Sequence, residues 1–442
     1  MNILDEFDTI AAISTPVGTG GVGVIRISGT KAFEIIGKIF TDSDFSPRKF
    51  NHGWIVEGNR NIDEVIVLPF FAPNSYTGED VIEIQCHGGI NVVRNILNLV
   101  LKNGARMAER GEFTKRAFLN KKMDLSQAEA VADIIHSKTS EFAKVSVKNL
   151  SGVLKSKIDE IRTDIFEVLS RITAGIDFPE DVKEPEYEYL IEKFENIIAF
   201  IDKILAGADS SNIFRQGVSV AIAGKPNVGK SSLFNALLSL DRAIVTDVAG
   251  TTRDVLRETL DLGIPVTLID TAGIRDSDEK VEKIGIDYSK QSLNEADLVL
   301  FVYDASKSME EEDYQILSLL DGKNYIKVGN KSDLNVNKNG DDIYISALTG
   351  EGIDELRKVL TKKVCTIEPE NLEFLTNTRQ QECLRKAKNS IEQALLASNV
   401  HELQDLISID VKSALLALDE LTGELITDEV LESIFDHFCI GK

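Results

Sequence analysis

The chain has 442 residues, 43% of them hydrophobic, and a formal net charge of −23, because 72 Asp and Glu residues outnumber 49 Lys and Arg residues. This length allows about three domains, whereas the acidic excess opposes nonspecific binding to a nucleic-acid backbone. No apolar run is long enough to cross a membrane, residues 1–6 lack the regions of a secretory signal, and the four cysteines form no close pair, so we expect a cytoplasmic protein without structural disulfides.

Glycine-rich sequence near the start of the chain could suggest a dinucleotide-binding loop. Gly18, Gly20 and Gly23 satisfy the pattern Gly-x-Gly-x-x-Gly. In a dinucleotide-binding fold this loop opens a helix. Here the following residues, 24–28, alternate between apolar and polar as a strand does. The sequence therefore argues against a dinucleotide site and predicts mixed α/β structure up to about residue 120.

Helical patterns dominate two later stretches of the chain. Apolar residues recur at helical spacing from Ser126 to Ala208, and a helical pattern resumes from Asn371 to Phe438. A third, α/β pattern lies between them. We predict a multidomain α/β plus all-α protein with an α/β module inserted into a helical domain. The predicted divisions are an N-terminal domain at 1–120, the helical domain at 121–213 and 369–442, and the inserted module at 214–368.

The inserted module opens with a phosphate-binding loop. Gly224–Ser231 fits the pattern Gly-x-x-x-x-Gly-Lys-Ser between an apolar strand and an amphipathic helix. Backbone N–H groups of such a loop surround the phosphates, Lys230 reaches the β- and γ-phosphates, and the Ser231 hydroxyl binds Mg²⁺. The expected nucleotide contacts in this loop are Asn227, Val228, Gly229, Lys230, Ser231 and Ser232.

Further segments indicate that the base is guanine. Asp270-Thr271-Ala272-Gly273 follows a strand and resembles the GTPase signature that holds Mg²⁺ and senses the γ-phosphate. Asn330-Lys331-Ser332-Asp333 resembles the base-reading motif. In that motif the Asp333 carboxylate accepts hydrogen bonds from the ring N–H and the exocyclic amine of guanine, a pair of donors that adenine lacks. Ser346-Ala347-Leu348 resembles the loop behind the base. Taken in this order, each after its own strand, these segments predict a GTP site.

A small, polar segment between the first two signatures is suited to a switch loop. It runs from Thr246 to Asp254. The expected nucleotide contacts in it are Thr246, Asp247, Val248, Ala249, Gly250, Thr251 and Thr252. Thr252 is the expected second hydroxyl on Mg²⁺. Ile274 stands where Ras-like enzymes carry the glutamine that orients water. Catalysis must therefore be organised differently in this chain.

The chain ends on a thiol, a glycine, an amine and a free carboxylate. These belong to Cys439-Ile440-Gly441-Lys442. A thiol beside a positive charge can act as a nucleophile or an acid. The sequence leaves Cys439 between a chemical role and a packing role.

Nearly the whole chain resembles the MnmE family of tRNA-modification GTPases. The resemblance rests on Asp8–Pro16, Asn74–Glu83 and Gly111–Asn120, on Asn227 with the 246–254 string, and on the ending Phe-Cys-Ile-Gly-Lys. It implies a homodimer and a GTP hydrolase whose K⁺ ligands are Asn227, Thr246, Val248 and Thr251. It also implies that Lys230 and Glu282 are catalytic, with Glu282 positioning the attacking water.

The same resemblance implies a second site and further partners. The N-terminal domain would bind 5-formyl- or methylene-tetrahydrofolate through Arg26, Glu83, Lys122 and Lys442. An FAD-containing partner, MnmG, would join the homodimer in a heterotetramer. Together they would add a carboxymethylaminomethyl or aminomethyl group to C5 of the wobble uridine of certain tRNAs. The resemblance implies no membrane partner.

Two alternatives share the central motifs. One is a GTPase switch in ribosome assembly, of the Era or Der type, which leaves both ends of this chain unexplained. The other is a membrane-associated ion-transport GTPase, which the absence of a spanning segment disfavours.

Overall fold

The computed structural model describes residues 8–42, 44–46, 49–240, 257–270, 296–334, 340, 342–364 and 373–442. The chain forms two compact units, one from Met1–Ala132 with Leu415–Lys442 and the other from Asp133–Ala414. In the described part of the chain one sheet lies in each unit, and helices accompany both, which confirms the predicted multidomain class of α/β plus helical structure. The predicted division at residues 120, 213 and 368 stays a prediction.

The first unit is built mainly from the N-terminal part of the chain. Its elements are β1 (Ile10–Ile13), β2 (Val22–Ser28), α1 (Ala32–Ile39), β3 (Asn51–Glu57), β4 (Arg60–Phe70), β5 (Val81–His87), α2 (Ile90–Lys102), β6 (Arg106–Met107), α3 (Glu112–Leu119) and the start of α4 (Leu125–His136).

The second unit begins within α4 and contains the nucleotide-binding module. Its elements are α5 (Ser140–Leu150), α6 (Val153–Asp177), α7 (Tyr187–Leu205), α8 (Ala208–Gln216), β7 (Val218–Ala223), α9 (Lys230–Leu240), β8 (Arg257–Asp261), β9 (Pro265–Asp270), β10 (Leu298–Asp304), α10 (Glu311–Leu319), β11 (Tyr325–Asn330), β12 (Ile343–Tyr344), α11 (Ile353–Val364) and α12 (Thr378–Asn399). The chain then returns to the first unit within α13 (Gln404–Thr422), and α14 (Asp428–Phe435) follows there.

The sheet of the second unit has the order β12-β11-β10-β7-β9-β8. All neighbouring pairs are parallel except β8 and β9, which are antiparallel. The strands predicted before the phosphate loop and the base-reading motif are confirmed as β7 and β11. Parallel strands align their carboxyl ends at one edge of a sheet, where α/β proteins bind ligands. The topology therefore brings the ends of β7, β9, β10 and β11 to a common edge.

The helices of the second unit follow the predicted apolar spacing. In α6 the buried side chains recur every three or four residues, as one face of a helix requires, and they include Leu154, Ile158, Ile161, Ile165 and Val168. Helix α7 packs against α12. Among the described residues, no helix combines the length and apolar content that crossing a membrane demands.

The sheet of the first unit has the order β3-β4-β5-β2-β1-β6. Helices α1 and α2 cover one of its faces and share a core with Ile25, Ile27 and Ile84. On the other face, Phe113 of α3 packs with Tyr76 and β1. Strand β2 begins at Val22 and includes Gly23, the last glycine of the glycine-rich segment. This position confirms that the segment does not open a helix as a dinucleotide loop would.

A buried ion-pair network fixes α3 in the first unit. Arg116 donates to Glu112 (2.9 Å) and Glu79 (3.1 Å), and Arg106 donates to Glu112 at 2.7 Å. Burial tends to raise the pKa of Glu112, but hydrogen bonds from Arg106, the Glu109 backbone N–H and Arg116 outweigh burial and lower it. Buried charges are tolerated only when they are paired in this way.

Replacing Arg116 should destabilise the first unit, because it leaves the buried Glu112 carboxylate with fewer partners. We expect Arg116→Leu to lower the free energy of unfolding by about 3–5 kcal/mol at neutral pH. Since the pKa of folded Glu112 lies below its ordinary value of 4.5, the stabilisation is present above that value and is lost as the pH falls further. Urea unfolding at several pH values measures this difference.

Lys38→Met is the matched control. It removes an exposed ion pair with Glu34 and should leave the unfolding midpoint unchanged. Equal urea unfolding midpoints for the Arg116 and Lys38 variants would contradict the inference that Arg116 stabilises the first unit by pairing with Glu112.

Candidate functional site

The phosphate loop connects β7 to α9. Gly224, Asn227 and Gly229 have positive φ values of 153°, 62° and 96°, so the backbone of the loop turns tightly. The Lys230 ammonium donates to the carbonyl oxygens of Gly224 and Lys225, both at 2.8 Å. These contacts direct the ammonium into the loop, where it can exchange carbonyl oxygens for phosphate oxygens.

Two glycines of the loop are required by close contacts as well as by φ. A Cβ atom on Gly224 would collide with the carbonyl oxygen of Val302 in β10. A Cβ atom on Gly229 would collide with the side-chain amide of Asn330. Any larger residue would therefore push the phosphate loop away from the neighbouring strand ends.

Asn330 joins three segments of the site. Its side chain is buried, its Nδ2 donates to the carbonyl oxygen of Val228 at 2.9 Å, and its Oδ1 accepts from the Ala347 N–H at 3.0 Å. Val228 lies in the phosphate loop and Ala347 in the segment predicted to lie behind the base. The geometry thus brings together three sequence-predicted segments that are far apart along the chain.

The base-reading motif is held by its lysine. Lys331 has a φ of 67°, and its ammonium lies 2.7 Å from Asp304 at the end of β10. Burial tends to raise the pKa of Asp304, but hydrogen bonds from Lys331 and Ser306 outweigh burial and lower it, so this carboxylate is charged. Asp333, in contrast, is exposed and therefore accessible to a base.

The segment predicted to lie behind the base forms a tight turn after β12. Ser346 is buried, its N–H donates to the Glu351 carbonyl oxygen (2.9 Å), and its carbonyl oxygen accepts from the Gly350 N–H (2.8 Å). Ala347 is held by Asn330, whereas the Leu348 side chain is 88% exposed. This turn keeps the backbone of Ser346 and Ala347 next to the base-reading motif.

The remaining predicted nucleotide contacts divide into described and undescribed residues. Val228 is buried, and Asn227, Ser231 and Ser232 are exposed at the loop and the start of α9. The backbone of Asp270 ends β9 and pairs with Ile222 of β7. The predicted residues that lie outside the described part of the chain are Thr246, Asp247, Val248, Ala249, Gly250, Thr251, Thr252, Thr271, Ala272, Gly273 and Glu282.

A contact of Lys225 was not predicted from the sequence. Its ammonium lies 2.7 Å from both Glu310 and Asp313, which flank the start of α10. Hydrogen bonds to Asp313 and Glu310 raise the pKa of Lys225 above its ordinary range. These ion pairs tie the second residue of the phosphate loop to α10. The acidic run 310–313, placed after β10, is the sequence signal that could have revealed the pairing.

A separate candidate site lies in the first unit. Arg26 of β2 stands opposite Glu83 of β5 in the antiparallel register, and its Nε and Nη2 donate to Glu83 Oε1 at 2.9 and 2.7 Å. The guanidinium lies over the rings of Tyr76 (5.2 Å) and Phe113 (5.6 Å). Arg26 Nη1 is buried and has no hydrogen-bond partner among the described residues. A buried donor without a partner is costly, and it fits an acceptor on a ligand.

The other residues predicted for this second site lie in the same unit. Lys122 donates to the Pro73 carbonyl oxygen at 2.9 Å, on the loop that also carries Tyr76. Cys439 is exposed and Lys442 partly exposed.

The fold and the nucleotide site define the class of protein. The second unit has a phosphate loop between β7 and α9, and Asn330 ties this loop to a base-reading motif at the end of β11. These features define a P-loop domain of the Ras-like GTPase class. Two family models also match the chain: "GTP-binding protein TrmE N-terminus" over residues 9–122 and "MnmE helical domain" over residues 125–439.

Relatives align along nearly the full chain. The tRNA modification GTPase MnmE of Thermoanaerobacter sp. (strain X514) is 48% identical, covering 99% of this chain and 100% of its own length. The MnmE proteins of Clostridioides difficile and Thermotoga maritima are 44% and 43% identical, each covering 98% of this chain and 99% and 100% of their own lengths. The chain belongs to the MnmE family, also called TrmE.

Removing the Lys225 ion pairs should weaken nucleotide binding. A loop that is less well ordered before binding must lose more freedom when it binds, so we expect Lys225→Met to raise the Kd for GDP several-fold. Fluorescence titration with a labelled GDP measures this change. Lys307→Met is the control, because it removes an exposed lysine of the same unit. Equal Kd values for the two variants would show that the ion pairs of Lys225, called here the Lys225 clamp, do not order the loop.

Proposed function

We propose that this chain hydrolyses GTP as part of tRNA modification. Its role would be to help add a carboxymethylaminomethyl or aminomethyl group to C5 of the wobble uridine of certain tRNAs. The observation that carries the proposal is the Asn330-centred nucleotide site, found in a chain that aligns over 98–99% of its length with tRNA modification GTPases. A tRNA substrate would place the protein in the cytoplasm.

We assign the GTP step to residues around the phosphate loop. Lys230 would bind the β- and γ-phosphates, Ser231 and Thr252 would hold Mg²⁺, and the Asp333 carboxylate would read guanine. The ammonium position of Lys230 inside the loop and the exposure of Asp333 support these roles. Glu282 would position the attacking water.

We assign a K⁺ site to Asn227, Thr246, Val248 and Thr251. An amide, hydroxyls and carbonyls are the hard oxygen ligands that such a cation needs. Asn227 fits because it is an exposed residue of the phosphate loop in a left-handed conformation. When bound there, K⁺ supplies the positive charge that an arginine finger supplies in other GTPases.

We assign a tetrahydrofolate derivative, in the 5-formyl or methylene form, to the Arg26–Glu83 pair. A pterin ring presents a donor edge that suits a carboxylate and acceptors that suit a guanidinium. The buried, unpartnered Nη1 of Arg26 and the aromatic rings of Tyr76 and Phe113 support this assignment. Lys122 and Lys442 would bind the anionic glutamate portion, and Cys439 would act near the one-carbon unit.

We further propose a homodimer that binds an FAD-containing partner of the MnmG type, giving a heterotetramer. The face of the first sheet that α1 and α2 leave open carries partly exposed apolar side chains from β3 and β4, namely Trp54, Ile66 and Phe70. Such a face is suited to association. The net charge of −23 indicates that the partner supplies much of the tRNA surface and the FAD.

The experiment that tests this proposal is mass spectrometry of tRNA nucleosides from cells lacking the gene. We expect the C5-modified wobble uridine to disappear and to return with the intact chain. A Lys230→Ala chain, or one lacking residues 439–442, should leave the modification near the level of the deletion strain. A Lys307→Met chain is the matched control and should restore it.

Persistence of the modified uridine without the gene would refute the tRNA role. The alternative, a ribosome-assembly GTPase, would then take its place. That alternative predicts unprocessed ribosomal subunits in the deletion strain and full rescue by the chain lacking residues 439–442.

A further inference from the structure

The C-terminal tail, defined as residues 439–442, lies against two segments of the first unit. On one side Ile440 forms an antiparallel bridge with Arg110. The Gly111 N–H donates to the Cys439 carbonyl oxygen at 3.3 Å, and Arg110 Nη1 donates to the Asp436 carbonyl oxygen at 3.3 Å. The tail is thus paired through its backbone, which leaves the side chains of Cys439 and Ile440 exposed.

A buried aromatic residue anchors the start of the tail. Phe438 packs with Leu125, Leu431 and Phe435 in one apolar cluster. Gly111 has a φ of 64°, and a Cβ atom there would lie only 2.9 Å from Phe438 Cβ and 2.8 Å from the Phe435 ring. Gly111 therefore allows Phe438 to approach the backbone closely, and the tail leaves this cluster at a fixed point.

The far end of the tail is held by Ser14. The Ser14 hydroxyl donates to the Gly441 carbonyl oxygen at 3.2 Å. Gly441 has a φ of 96°, and a Cβ atom there would collide with the Ile13 carbonyl oxygen. Only glycine therefore permits this approach, which gives a physical reason for the glycine before the terminal lysine.

Ser14 also lies close to the Arg26–Glu83 pair along the sheet. Its N–H donates to the Val24 carbonyl oxygen at 2.8 Å, and Ala12 stands opposite Arg26 in the register of β1 and β2. Ser14 follows Ala12 by two residues, which is about 7 Å along an extended chain. The hydrogen bond to Gly441 thus holds the tail next to the candidate one-carbon site.

We infer that Ser14 is a positioning residue that keeps the C-terminal tail docked beside the Arg26–Glu83 pair. The hydroxyl acts on the tail backbone through the Gly441 carbonyl, and Ser14 itself takes no part in chemistry. The docking stands on geometry alone. Its importance for modification rests on the proposed function.

Digestion with carboxypeptidase B tests the docking, because this enzyme removes a C-terminal lysine only from a released tail. With the full chain, we expect Ser14→Ala to speed the loss of Lys442 about fivefold, the effect of losing one ordinary hydrogen bond. Ser14→Thr keeps a hydroxyl and should restore the slow rate. Intact-mass spectrometry follows the loss of Lys442.

Thr15→Ala is the matched control. It removes a neighbouring hydroxyl, which accepts from the Val24 N–H and not from the tail, so the rate of Lys442 loss should stay at the level of the intact chain. Equal unfolding midpoints and equal GTP hydrolysis in all variants would show that the fold is kept. A Ser14→Ala rate equal to that of the intact chain would overturn the inference.

Hydrogen exchange gives a second measurement that needs no Ser14 variant. If the tail is docked, a chain lacking residues 439–442 should show faster exchange of the Gly111 amide, which loses its acceptor on Cys439. Unchanged exchange at Gly111 would contradict docking even if Ser14→Ala failed to fold.

The tRNA nucleosides separate this inference from the proposed function. A Ser14→Ala chain with a released tail should support less C5-modified uridine than Ser14→Thr. Full modification by Ser14→Ala despite a released tail would refute the positioning role while leaving the proposed function intact. Modification that persists without the gene would refute the proposed function, whereas the digestion result would still decide the docking.

Discussion

The buried side-chain amide of Asn330 holds the nucleotide site together. It donates to the phosphate loop at Val228 and accepts from Ala347 in the turn after β12. An aspartate could not donate to the Val228 carbonyl oxygen, and an apolar residue would leave this buried oxygen without its donor, at a cost of about 1–3 kcal/mol. The parallel sheet brings these segments to one edge, and the donor and acceptor of this amide tie the phosphate loop to the turn after β12.

The two candidate sites belong to different units of the chain. The nucleotide site lies within residues 133–414, whereas the Arg26–Glu83 pair and the C-terminal tail lie in the unit formed by residues 1–132 and 415–442. Residues from both ends of the chain thus contribute to one unit, and the GTPase module lies between these residues in the sequence. The chain passes between the units within α4 and within α13.

Local patterns in the sequence were sufficient to predict β7, β11 and the loop between β7 and α9. The phosphate loop, the base-reading motif and the strand after the N-terminal glycines could be predicted because each has a short pattern with a fixed neighbour. The Lys225 clamp, the Arg116 network and the Ser14–Gly441 bond could not. Each depends on residues far apart in sequence whose types are common at surfaces, so only the folded chain shows that they pair. The family resemblance indicated Arg26 and Glu83, while their direct opposition follows from the register of β2 and β5.

Our proposal is that this chain carries two separate binding sites, one for a guanine nucleotide and one for a reduced folate. Calorimetric titration of GDP and of 5-formyltetrahydrofolate into the same preparations of the intact protein, Arg26→Met and Asp333→Asn tests it most directly. We predict that Arg26→Met loses folate binding and keeps its affinity for GDP, and that Asp333→Asn does the reverse. Folate binding that survives in Arg26→Met, or that falls together with GDP binding in Asp333→Asn, would contradict the claim.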